Sequence, residues 1–412
     1  MPLIRPFKGF RPVPAYVAQV ACPPYDIVTN EEAWHLAEKN KYSLLPVIKP
    51  EINYPRFLPP AGEDIYAAAL RKLEMLQAKQ LFIQDQSPCF YLYRLKTATH
   101  QQTGLVATVA VSDYEQGRIK KHELTRPDKE EDRIKLISTL KLQTGPAYLT
   151  FSGGENFKEF SQRMMGEEPL YQFIAEDRVE HTLWLIANRD EIERLIKMFG
   201  SVTSFYIADG HHRSAAAVRI SKQNRHLPTN HGYHFFLAVI FPHEQLRILP
   251  YNRLIKDLQG LSPAQFLTRL ESIFKIQPLE GHFNPAPTKP QILGMYLSNQ
   301  WYSLELKIKS FEKRDLIGQM DVSILQQQIL APLLGIHDPR TDKRIEFVGG
   351  VKDHQFLQEA VNRRGFAVAF SLYPCPVQTM MEIADQGQIL PPKSTWFEPK
   401  LRSGLVMHRI DD

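Results

Sequence analysis

Long apolar stretches are missing from this 412-residue chain. The longest run, residues 235–241, is enough for one buried strand and far short of the roughly 20 residues that a membrane-spanning helix requires. Cysteine is scarce as well. Cys22, Cys89 and Cys375 are odd in number, lie far apart and form no C-x-x-C pair, which excludes a disulfide scaffold or a structural zinc site. They read as free thiols in a reducing compartment. No block of like charge stands out: 50 basic and 45 acidic residues are spread along the sequence, leaving a net +5 that hints only weakly at nucleic acid or a membrane surface. Internal repeats and low-complexity tracts are absent. Residues 1–14 carry basic side chains but no apolar stretch follows, so no secretory signal pattern is present. A soluble, cytoplasmic protein without a membrane partner is expected.

The composition, 43% hydrophobic and 23% charged, is that of an ordinary globular protein, and the length calls for two or three domains. Residues 1–86 form a proline-rich α/β segment with two helical patterns. One follows Thr29, which stands three residues before Glu32 as in a capping box. The other covers residues 63–79, with Ile65, Ala69, Leu73 and Leu76 on one face. Between them, residues 46–60 hold five prolines and read as a surface loop. Residues 87–253 mix strands (90–95, 105–111, 147–151, 182–187 and 205–208) with helices (127–142, 190–199 and 213–222). Residues 254–412 form a C-terminal α+β domain. Its helices are expected at 263–274, 322–333 and 377–385, a hairpin at 292–298 and 302–306, and a buried strand at 366–372. A closing loop at 390–405 follows. The mixed order predicts an α+β (mixed α/β) fold.

The densest chemical signal is Ala208-Asp209-Gly210-His211-His212-Arg213, followed by Ser214 and three alanines. An apolar strand ends at Asp209, Gly210 permits a tight turn, and a small-residue helix begins. The free N–H groups at such a helix start attract anions, and two histidines and an arginine add donors suited to phosphate oxygens. An ordinary helix start would explain a lone Asp-Gly but not four polar groups together. Adjacent histidines are poor metal ligands from one helix face, so phosphate binding is the better reading.

Three further groups are candidates. Glu123, in Lys121-His122-Glu123, precedes the helix expected near Pro127 and is less easily explained as a first-turn acid than Asp128, Glu130, Glu131 and Asp132. Lys393-Ser394-Thr395 stands between prolines and Trp396-Phe397. It lacks the glycine run of a P-loop, yet a stiff loop with a cation and two hydroxyls suits a phosphate or carboxylate; a strap whose aromatics fill a groove explains it equally well. Asp26, after Pro23-Pro24-Tyr25, suits a substrate ammonium or a magnesium shell, although turn formation alone accounts for the pattern. His243-Glu244 and His337-Asp338 read as plain turn residues.

The strand-Asp-Gly-His-His-Arg-helix pattern resembles the nucleotide-binding motif of the ParB/sulfiredoxin superfamily, and within it the free-serine (SerK-like) kinases. The segments Cys22-Pro23-Pro24-Tyr25-Asp26, Lys121-His122-Glu123-Leu124-Thr125 and Pro391 to Lys400 resemble those of a larger bacterial family known only as a domain of unknown function and related to these kinases. The likeness to the larger family covers nearly the whole chain. That to the smaller kinases covers only the middle segment, which it implies to be a ParB/sulfiredoxin-like core.

The resemblance implies a kinase that transfers a phosphate of ATP or ADP to the hydroxyl of free L-serine. Gly210, His211, His212 and Arg213 would bind the nucleotide phosphates, and Glu123 would be the base. Asp209 would orient the reacting hydroxyl or a magnesium-bound water. His122, Asp26, Lys393, Ser394 and Thr395 would contact the amino-acid substrate, and Mg2+ would arrive on the nucleotide with few protein ligands. A ParB-like nucleotide switch is the rival. DNA-binding members of that class carry a helix-turn-helix after the nucleotide fold, and no basic recognition helix is legible after Arg253, so no nucleic acid partner is expected. Sulfiredoxin-type chemistry needs a cysteine beside the phosphate motif, where histidines stand here.

Overall fold

The computed structural model describes residues 1–62, 64–279, 285–307 and 315–412. Residues alternating between β-branched or aromatic runs and amphipathic stretches produce an α+β fold, as expected, in two compact units: residues 1–246 with 399–412, and residues 247–398.

The first unit is organised on a mixed sheet. Its strands run in the order Ile119–Lys120, Phe205–Asp209, Ala147–Phe151, Phe235–Pro242, Gln101–Ala110, Phe90–Lys96, Glu180–Ile186 and Tyr171–Ile174, and Ile4–Arg5 pairs separately with Gln101–Ala110. All eight residues of Phe235–Pro242 are buried, which is why this segment reads as a continuous apolar run. Phe205–Asp209 lies antiparallel to Ala147–Phe151, and the register shifts between Ile207 and Asp209. That irregularity falls at the strand end where the turn to the next helix begins.

Helix His211–Gln223 packs on helix Pro127–Leu140, which also packs on Ile65–Ala78. Ile134, Ile137, Ala216 and Ile220 share one buried cluster, so small and β-branched residues let the first two helices approach closely. The Thr29–Glu32 capping box forms as expected at the start of helix Asn30–Lys39. A four-stranded sheet, in the order Phe82–Gln84, Gly9–Pro12, Met407–Arg409 and Leu142–Gln143, ties the end of the chain to its beginning.

The second unit has an antiparallel sheet in the order Phe274–Pro278, Gln300–Leu306, Ile292–Leu297, Val368–Ser371, Tyr251–Ile255 and Ile345–Gly349. Alternate residues point to opposite faces. Met295, Leu297, Ile255 and Phe370 therefore join one core with helix Pro263–Glu271, while Tyr296, Leu254 and Ala369 join another with helix His354–Arg363. Helix Val377–Asp385 has the expected bounds.

Several expectations need correction. The proline-rich stretch 46–60 is not one surface loop. It is a series of short turns, Leu45–Ile48, Pro50–Asn53 and Pro55–Phe57, and its first part is buried: Leu45, Val47, Ile48 and Ile52 enter the core under helix Ile65–Ala78. Proline at the first helical position costs no hydrogen bond, so proline here starts turns instead of forbidding them. The helix expected over 322–333 is Asp321–Leu325 followed by a π-helical turn at Gln326–Leu330. The helix expected from 213 starts two residues earlier, at His211. The helix expected over 63–79 runs Ile65–Ala78 with Asp64 as its cap; residue 63 lies outside the described residues.

The two units also differ from the three expected segments 1–86, 87–253 and 254–412. Strand pairing merges the first two, and the closing loop 390–405 divides at 398/399 between the units. Among the described residues no helix is long and apolar enough to cross a membrane.

Candidate active site

The turn after Phe205–Asp209 shows why its sequence is Asp-Gly. Gly210 has φ +90°, in the left-handed region that favours glycine. A Cβ there would stand 3.1 Å from Arg213 Nε and 3.2 Å from Ala147 Cα, so glycine is needed for space as well. The Gly210 N–H donates to Asp209 Oδ1 (2.7 Å), and the Gly210 carbonyl accepts from the Ser214 N–H (3.0 Å) and Oγ (3.2 Å). By helix geometry, the N–H groups of His211, His212 and Arg213 lack carbonyl partners within the helix, which makes this end positive.

On one side of the turn stand two cationic side chains, Arg213 and Lys400, with two carboxylates, Asp26 and Asp209. The Arg213 guanidinium donates to the Pro146 carbonyl, and its Nη2 lies 3.9 Å from both Asp26 Oδ2 and Asp209 Oδ1. Burial opposes its charge, but the two aspartates outweigh burial and its pKa is raised. Lys400 Nζ donates to Asp209 Oδ2 at 2.8 Å. Burial would push the Asp209 carboxyl up; the charges of Lys400 and Arg213 outweigh it and hold the group ionised. Both Asp209 oxygens thus already accept hydrogen bonds.

On the other side of the turn, the His122 and His211 rings meet edge to face, with centroids 4.6 Å apart. His122 is 1% exposed and His211 5%. Burial lowers the His122 pKa to about 4, partly offset by the Asp209 charge, and burial with the neighbouring His122 lowers that of His211 well below its ordinary value. Both rings are neutral at pH 7. Glu123 Oε2 lies 4.0 Å from His211 Nδ1 and its side chain is 41% exposed, so this carboxylate faces open space beside a dry pair of imidazoles. His212 Nε2 accepts the Arg126 N–H (3.1 Å), linking the 121–126 segment to the helix start. A narrow pocket beside Arg213 is lined by Tyr25, Gln143, Thr144, Gly145, Phe236 and Ser403.

The fold therefore brings together Asp26, His122, Glu123, Asp209, Gly210, His211, His212 and Arg213 from three stretches of sequence. Lys393, Ser394 and Thr395 belong to the other unit. There the Arg253 guanidinium donates to the Lys393 carbonyl (3.0 Å), and Ser394 Oγ donates to the Pro391 carbonyl (2.6 Å). Lys400, at the end of the Pro391 to Lys400 segment, carries no local signal of a role in the sequence; only its nearness to Asp209 marks it.

Residues 4–323 match the family described as "Protein of unknown function (DUF1015)". The chain belongs to this family. No curated protein matches it. Among solved structures, the DUF1015 chain is similar to a conserved hypothetical protein from Pyrococcus furiosus, with 13% identity, 73% of this chain and 93% of that chain covered, and a TM-score of 0.35. It is also similar to a free serine kinase in complex with AMP (13% identity, 71% and 86% covered, TM-score 0.36) and to a variant of such a kinase in complex with ADP (12%, 71% and 87%, TM-score 0.37). Alignments at this level carry no argument about what the DUF1015 chain does, which rests on its own side chains.

Proposed function

We propose that this DUF1015 chain is a small-molecule kinase that transfers the terminal phosphate of ATP or ADP to the hydroxyl of free L-serine. The observation that carries the reading is the turn at Gly210. It leaves the first N–H groups of a helix bare next to Arg213, which stands between Asp26 and Asp209, with Glu123 half-exposed across the turn beside His211. The likeness of the Asp-Gly-His-His-Arg and His-Glu segments to the free-serine kinases supports serine as the acceptor.

In this reading the phosphates accept hydrogen bonds from the N–H groups of residues 211–213 and from Arg213. Asp209 keeps Lys400 and Arg213 charged and in place. The serine Oγ attacks the terminal phosphorus, the bond to the bridging oxygen breaks, and the departing nucleotide carries that oxygen away. Glu123 accepts the Oγ proton late, since a loose transition state needs positioning and charge neutralisation more than a strong base. Mg2+ prefers oxygen ligands, and Asp26 is the partly exposed carboxylate that would hold it; when bound with the nucleotide it would neutralise phosphate charge.

Incubation with labelled nucleotide, Mg2+ and a panel of hydroxyl amino acids, with product identification, tests the reaction. Glu123→Gln should lower kcat by about 10²–10⁴-fold, the usual contribution of a general base, with nucleotide affinity nearly unchanged. Arg213→Ala should instead weaken nucleotide binding by about 1.5–3 kcal/mol, as expected for a charge-assisted hydrogen bond. No transfer to any hydroxyl amino acid, or turnover in Glu123→Gln within a few-fold of wild type, would overturn this assignment.

A further inference from the structure

We propose that His122, Glu123 and His211 form a binding site for one zinc-type transition-metal dication, independent of any nucleotide. Among the described residues these three are the group whose ligand atoms converge, all within 4.8 Å of one another. Two imidazoles and one carboxylate are the donor set of open zinc sites and select a borderline dication over Mg2+, which takes oxygen ligands. The two histidines come from separate stretches of chain and are almost wholly buried, so their rings are fixed by packing before any ion arrives.

His211 presents Nδ1 to Glu123 at 4.0 Å, and its buried Nε2 makes no hydrogen bond within the protein, so no protein acceptor fixes which ring nitrogen carries the proton. His122 carries a backbone hydrogen bond at Ile207, the kind of outer contact that sets a ligating ring's orientation. Metal–ligand bonds of about 2.0–2.2 Å place tetrahedral donor atoms closer together than they are here. Binding therefore draws the three donor atoms together, and half-exposed Glu123 gives the site its solvent side and the way in. An ion held there engages the carboxylate that the kinase reading uses as its base, so the metal acts as an inhibitor of transfer and not as its cofactor.

The adjacent pair His211-His212 is not the ligand pair. His212 Nε2 is turned to the Arg126 N–H, and the second imidazole comes from His122, 89 positions before His211 in the chain.

The test is titration of chelator-stripped full-length protein with Zn2+ by calorimetry, and with Co2+ followed by visible ligand-field absorption, both without nucleotide. One equivalent should bind with a cobalt spectrum of low, near-tetrahedral coordination. Since outer-shell changes alone weaken metal sites 10–100-fold, His211→Gln and Glu123→Gln should each weaken binding by at least about tenfold. His243→Gln, at the separate His243–Glu244 pair, should leave it unchanged. Circular dichroism checks each fold; should His211→Gln misfold, exposed Glu123 decides alone. Absence of saturable one-to-one binding, or an affinity that Glu123→Gln does not change, overturns the site. Because no nucleotide is present, either result is separate from success or failure of the kinase assay.

Discussion

Replacing His122 by glutamine should make the protein less sensitive to acid, and the structure sets the size of the effect. The ring is 1% exposed, and burial lowers its pKa from 6.5 to about 4. Between those values the unfolded chain binds a proton that the folded protein refuses. The unfolded state then holds more protons, so stability is present above pH 6.5 and is lost as the pH falls towards 4. At 1.36 kcal/mol per pKa unit, the full loss approaches about 3 kcal/mol near pH 4 and is about 2 kcal/mol near pH 5. Glutamine cannot titrate, while buried His211 remains in both proteins and cancels to first order. Urea unfolding of wild type and His122→Gln at about pH 7 and about pH 5 should therefore show wild type losing about 2 kcal/mol relative to the variant. A wild-type-minus-variant difference that is the same at both pH values would refute the idea that a neutral, dry imidazole stands behind Glu123.

Two further outcomes are expected. Lys400→Met leaves Asp209 with Arg213 at 3.9 Å as its remaining cation, and should destabilise the protein by about 2–4 kcal/mol, somewhat below the 3–5 typical when a buried charge loses its whole counter-charge. Adding Asp209→Asn should recover part of the loss in a double-mutant cycle, and simple additivity would count against the pair. In the second unit, Asp321 accepts the N–H groups of Gln291 (2.7 Å) and Tyr373 (2.9 Å), yet burial outweighs these bonds and raises its pKa from 3.8 to about 6. Its contribution is present below pH 3.8 and lost as pH rises through 6. Wild type should thus lose roughly 1–2 kcal/mol relative to Asp321→Asn between about pH 5 and about pH 8, measured by unfolding at each pH; a flat difference would contradict the raised pKa.

Local chemistry carried much of the fold from sequence alone. The Thr29–Glu32 cap, the strand at Ala147–Phe151, the hairpin near 292–306 and helix Val377–Asp385 are each decided by a few neighbouring residues: a hydroxyl and carboxylate three apart, a short run with aromatic and β-branched residues, a periodic apolar face. The Asp209-Gly210 turn was legible for the same reason, since a left-handed φ at a strand-to-helix junction asks for glycine. Prolines misled over 46–60, because sequence shows that proline starts a turn but not whether a core lies beneath it.

Other features depend on which strands become neighbours. The pairing of Gly9–Phe10 with His408–Met407 returns the chain end to its beginning, and the same return places Lys400 against Asp209, 191 residues away. Likewise His122 meets His211 because Ile119–Lys120 lies parallel to Phe205–Tyr206 in the sheet. Sequence determined which residue types stand at the phosphate turn. Tertiary structure decided their charges and their company, because burial and long-range strand order, neither visible in local spacing, set the neutral histidines, the Lys400 counter-charge and the assignment of Lys393–Thr395 to a different unit.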